Sequence, residues 1–92
     1  MSSIFIVHGS TGEYSDRSEW VVAAFTDLKR AEEWKEGAQK YASELFKSRA
    51  GRAGRLRHIG INPYDYYMVI DYTGTEYSIE EVSLDPELPR NI

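Results

Sequence analysis

The chain has 92 residues, of which 41% are hydrophobic and 28% charged, a balance that fits one folded domain and argues against a disordered or membrane-embedded chain. It contains no cysteine, which excludes disulfides, thiolate metal ligation and thiol nucleophiles and suits a reducing compartment such as the cytoplasm. The net charge of −4 is unevenly spread: −3 over residues 1–28, +5 over residues 29–58 and −6 over residues 59–92. A field of that kind steers encounters and does not set the fold.

Residues 3–7, Ser-Ile-Phe-Ile-Val, are β-branched and aromatic on both parities and predict a short strand ending at Gly9. They have no basic flank, and the apolar run is too short for a signal peptide. Residues 9–16 read as a polar, glycine-punctuated loop, and Trp20–Phe25 as a second strand. Thr26 and Asp27 offer capping oxygens to a helix that starts near Leu28 and runs to about Lys47. Leu28, Ala31, Trp34, Ala38, Tyr41, Ala42, Leu45 and Phe46 recur at three- and four-residue spacing and make one apolar stripe. Gly37 interrupts that helix, at a cost of about 1 kcal/mol, and marks close packing or a slight bend.

Residues 48–63 hold three glycines, four arginines and Pro63 without periodicity, which predicts a flexible Arg/Gly-rich connector. Met68–Tyr72 and Thr75–Ile79 then read as strands facing each other across Thr73 and Gly74. Tyr77 and Ile79 share one parity while Val82 and Leu84 share the other, so a bulge is expected at Glu80 and Glu81. Residues 86–92 are expected to fray. The order is ββαββ, and the expected class is α+β: two layers, an antiparallel sheet with one long helix packed on one face. One helix covers one face only. If the other carries Tyr66, Tyr72 or Tyr77, it is a half-exposed aromatic surface.

Several arrangements of chemistry-bearing residues are open to a plainer reading. Gly9-Ser10-Thr11-Gly12 follows a strand, but no lysine follows, and Glu13 and Asp16 would repel a phosphate. His8, Ser10 and Asp16 are the residue types of a hydrolytic triad with no nucleophile elbow or oxyanion motif beside them. His8 and His58 lie too far apart to give a diagnostic metal spacing. On a strand, Glu76 and Glu80 share one face and Glu81 takes the other. Arg49, Arg52, Arg55 and Arg57 suit nucleic-acid phosphates, an acidic protein partner or a solvated connector beside the helix C-terminus, with the acidic balance of the whole chain set against nucleic acid. Seven tyrosines, five of them between Tyr64 and Tyr77, favour an interface, because tyrosine gives rigid amphipathic contact area.

Val7-His8-Gly9-Ser10-Thr11-Gly12-Glu13-Tyr14-Ser15-Asp16 leads into Trp20–Phe25, and Asn62-Pro63 and residues 71–82, Asp-Tyr-Thr-Gly-Thr-Glu-Tyr-Ser-Ile-Glu-Glu-Val, follow later. This combination resembles a group of small uncharacterised proteins encoded by bacteriophages and prophages. The resemblance covers about half of the chain, leaves out the helix and the arginine segment, and carries no catalytic residues. It implies a context in which small acidic proteins bind and block a host protein, CRISPR effectors among them.

The expected function is therefore that of a non-enzymatic acidic binding protein, a phage-borne inhibitor that occludes a surface of a host defence complex. Its expected contact residues are Glu13, Tyr14 and Asp16 in the first loop, and Tyr72, Glu76, Glu80 and Glu81 in the second hairpin. No catalytic residue, metal or cofactor is assigned. The expected partner is a host protein or complex, with homodimerisation possible, direct nucleic-acid binding disfavoured and no membrane. A homodimeric regulatory or structural module is the alternative, and a small hydrolase using His8 is the remote one.

Overall fold

Asp27 starts the helix as its sequence suggests. Its carboxylate accepts a hydrogen bond from the Lys29 amide at 3.0 Å, and its carbonyl accepts the first helical bond from Ala31 at 3.1 Å. In the computed structural model, which describes residues 3–13, 15, 17–48, 56–57, 60–71 and 73–84, that helix is α1, Leu28–Ser48. It packs on a three-stranded antiparallel sheet of β1 (Ser3–Thr11), β2 (Ser18–Phe25) and β5 (Thr75–Ser83), in the order β2-β1-β5. The α+β class with one helix on one face is thus observed. The stripe buries mainly its small members: Ala31, Ala38 and Ala42 are fully buried, whereas Leu28, Tyr41 and Phe46 stay exposed. Alanines let the helix sit close on Val7 and Tyr77, which join Met68 and Ile70 in the core.

Four details of the strands differ from expectation. β1 does not end at Gly9 but runs on to Thr11. A side chain at Gly9 would meet the Trp20 indole at 2.6 Å, so this glycine makes room for a ring and does not mark a strand end. There is also no bulge at Glu80 and Glu81. β5 pairs with β1 without a shift from Ser3↔Ser83 to Thr11↔Thr75, and Val82 simply lies on the face opposite Tyr77. The irregularity falls in the β1–β2 ladder instead, where Val7 faces Ala23 and His8 faces Val21, leaving Val22 as the additional residue.

The fourth difference concerns the second hairpin. Val69–Ile70 form β4, and β4 pairs with β3 (Leu56–Arg57) in a separate two-stranded ladder. The turn at Thr73 and Gly74 is present, closed by Gly74 N–H donating to Asp71 C=O at 2.9 Å, with Gly74 at φ +83. Side chains redirect the strands around it. Thr75 Oγ1 donates to the Val69 carbonyl at 2.5 Å, and the Asp71 amide donates to Thr11 Oγ1 at 2.8 Å.

The neck formed by β3 and β4 encloses the segment 60–67, whose first residues were assigned to the connector. Asn62 is instead fully buried, donating from Nδ2 to the Ala38 carbonyl at 3.0 Å and accepting the Tyr64 amide on Oδ1 at 3.0 Å. Residues 49–55 and 58–59 of the connector, with Arg49, Arg52 and Arg55, and the 86–92 tail lie outside the described residues.

Candidate functional site

The helix covers the face of the sheet that carries Phe5, Val7, Gly9 and Thr11 of β1. Strand alternation puts Ile4, Ile6, His8 and Ser10 on the other face. The register sets Glu76, Ser78, Glu80 and Val82 of β5 beside them on one side, and Glu19, Val21 and Ala24 of β2 on the other. Among the described residues no element packs on this face, and Val21 is 61% exposed. The face has two halves. Ile4, Ile6, Ala24 and Val82 make an aliphatic end, and Glu19, Ser10 and Glu76 make an acidic end. His8 lies between them, with Nε2 2.8 Å from Glu80 Oε1. Arg17 and Glu19 approach to 3.6 Å, both well exposed.

At the acidic end the sheet opens into a cleft of about 280 Å³, lined by Glu13, Arg17, Thr73 and Glu76 among others. Hydroxyls staple its walls. Thr11 Oγ1 donates to the Gly74 carbonyl at 2.6 Å, and the Gly12 amide donates to Thr73 Oγ1 at 3.0 Å. The structure therefore brings Glu13 and Glu76 to one cleft and Glu76 and Glu80 to one face. Glu81 pairs across from Phe5 on the helix-side parity and stays exposed there. Tyr14, Asp16 and Tyr72 lie outside the described residues.

The uncovered face is aliphatic and acidic where an aromatic one was expected. Tyr77 points to the helix side and is buried, and Tyr66 sits in the 60–67 segment against Tyr67, edge to face at 4.9 Å. His8 has Glu80 as its carboxylate neighbour at 2.8 Å, and Asp16, the acid of the suggested triad, lies outside the described residues.

Sequence reasoning missed Asp65. This carboxylate is 2% exposed, and its Oδ2 accepts hydrogen bonds from Trp20 Nε1 and Tyr77 Oη, each at 2.8 Å. A buried carboxylate is tolerated only when hydrogen-bonded. Burial pushes the Tyr77 hydroxyl well above its ordinary value, and the bond to Asp65 pushes it further the same way. Next to it, Trp34 Nε1 donates to the Tyr64 carbonyl at 2.8 Å, and the Tyr64 ring lies on Gly37, where an added Cβ would come within 2.5 Å. These bonds fix the segment from inside, while Ile61, Tyr66 and Tyr67 face outward and are more than half exposed. The available signal was an acid embedded in aromatics, Tyr64-Asp65-Tyr66-Tyr67.

Compared with known proteins, the chain matches no family model, and no curated protein or solved structure is significantly similar to it. No helix among the described residues is long and apolar enough to cross a membrane.

Proposed function

We propose that this chain is a non-enzymatic binding protein that occludes a basic surface of a partner protein with its uncovered sheet face. One observation carries the reading: among the described residues the three-stranded sheet has the helix on one face and nothing on the other, and that other face sets Glu19, Glu76 and Glu80 beside Ile4, Ile6 and Val82. Carboxylates at such a rim attract a basic surface over a distance, and the aliphatic residues supply contact area once the partner is docked. The biological context we propose, following the resemblance to phage-encoded proteins, is inhibition of a host defence complex such as a CRISPR–Cas effector, whose nucleic-acid groove is basic.

The test is affinity capture from a bacterial host lysate with the wild type, with Glu76→Gln/Glu80→Gln and with Ile6→Ser. The reading expects a captured protein whose retention falls with salt and with both sets of changes. A captured set that is identical for all three baits, or indifferent to salt, overturns it. A homodimeric module is the second reading, favoured by the aliphatic end of the same face. Sedimentation equilibrium of the wild type against Ile6→Ser separates the two.

A further inference from the structure

The sheet has two edge strands, β2 and β5, and an edge strand offers unpaired N–H and C=O groups to any extended chain. On β5 two of these groups are taken by a side chain of the helix. The Tyr77 amide donates to Gln39 Oε1 at 3.1 Å, and Gln39 Nε2 donates to the Thr75 carbonyl at 2.8 Å. A single side-chain amide thus supplies one donor and one acceptor to this edge, in the place a neighbouring strand would occupy. Both backbone groups of a strand residue point to the same side. Thr75, Tyr77, Ile79, Glu81 and Ser83 therefore point outward, while the residues between them pair with β1.

We propose that the outer edge of β5 is a latent pairing surface for β5 of a second copy, and that Gln39 holds it closed. The strand is nine residues long and complementary to itself. An antiparallel pair centred on Ile79 sets Thr75 opposite Ser83, Tyr77 opposite Glu81 and Glu76 opposite Val82, so no carboxylate directly faces another. Glu76 and Glu80 of the two copies are still diagonal neighbours, which opposes pairing at low salt. β2 is a poorer edge, because the extra residue Val22 breaks its ladder. This surface is separate from the face proposed to bind a partner, and salt acts on the two with opposite sign.

The experiment is sedimentation equilibrium of the wild type, Gln39→Ala and Gln39→Ala/Ile79→Pro at low and high salt, with circular dichroism to confirm folding. Proline at 79 removes an outward N–H and leaves the bonds to β1 in place. Gln39→Ala is expected to self-associate at least about tenfold more tightly than the wild type, more so at high salt, and the added proline to abolish the gain. Native-state hydrogen exchange at the Tyr77 amide should accelerate in monomeric Gln39→Ala. Association no tighter than the wild type's, or a gain that survives the proline or weakens with salt, overturns the proposal. If Gln39→Ala does not fold, Gln39→Leu is put through the same measurements with the same expected and refuting results.

Discussion

Replacing Tyr77 with Phe removes one hydroxyl from the buried Asp65 site and leaves the ring in place. The ring packs with Val7, Ala38, Met68 and Ile70, and Phe keeps those contacts. What is lost is the 2.8 Å bond to Asp65 Oδ2, after which the buried carboxylate oxygen retains only Trp20. Hydrogen bonds to charged groups contribute about 1.5–3 kcal/mol, so the variant should be about 2 kcal/mol less stable at neutral pH in urea or guanidinium unfolding. The pH dependence reads the burial of the same hydroxyl, to which the Asp65 bond adds. In the unfolded chain this hydroxyl loses its proton near 10.0, whereas in the folded chain it keeps it to higher pH. Above that value the unfolded state binds fewer protons than the native state, so wild-type stability falls with rising pH by about 1.4 kcal/mol per pH unit from this group. The Phe variant lacks the group, and the remaining titrations cancel in the comparison. The gap between the two proteins should therefore shrink by about 1.4 kcal/mol from about pH 9 to about pH 11. A gap that stays constant with pH, or a variant as stable as the wild type at neutral pH, would refute the placement of Tyr77 against Asp65.

The remaining expectations concern packing and the basic segment. Gly37→Ala gains about 1 kcal/mol of helix propensity, yet its Cβ would lie 2.5 Å from the Tyr64 ring. A net loss of about 1–3 kcal/mol in thermal unfolding is expected, and net stabilisation would mean that the ring yields freely. Gly9→Ala should cost a similar amount, about 1–3 kcal/mol, and shift the tryptophan emission, since its Cβ meets the Trp20 indole at 2.6 Å. Unchanged emission and stability would contradict that contact. Changing Arg49, Arg52, Arg55 and Arg57 together to Ser should alter stability by less than about 0.5 kcal/mol each. A collapse in melting temperature would show that these arginines pair internally with the acidic residues of the chain.

The helix was legible because its cap and its stripe are local signals: Asp27 precedes Leu28, and Ala31, Ala38 and Ala42 recur on one side. The shared face of Glu76 and Glu80 was legible for the same reason, since it follows from a period of two. The pairing of β4 was not. Two short apolar runs around Thr73 and Gly74 meet the hairpin pattern, and the outcome turns on Thr11, sixty positions away from Asp71 in the chain. Gly9 misled because a glycine that ends a strand and one that admits a neighbouring indole read alike. Asp65 was hidden because its two donors, Trp20 and Tyr77, stand 45 and 12 positions away. The aromatic neighbours of Asp65 point to enclosure, but local composition does not reveal which distant donors will satisfy the carboxylate.

The central claim, that the acidic end of the open sheet face draws in a basic partner, is tested most directly by an association rate. The captured partner, purified, is mixed in stopped flow with the wild type and with Glu76→Gln/Glu80→Gln across a range of salt concentrations. Because rim charges act on encounter more than on residence, the wild-type rate should fall steeply as salt rises, and the double variant should start lower and vary little, the two converging at high salt. Equal rates with equal salt dependence for both proteins would contradict the account.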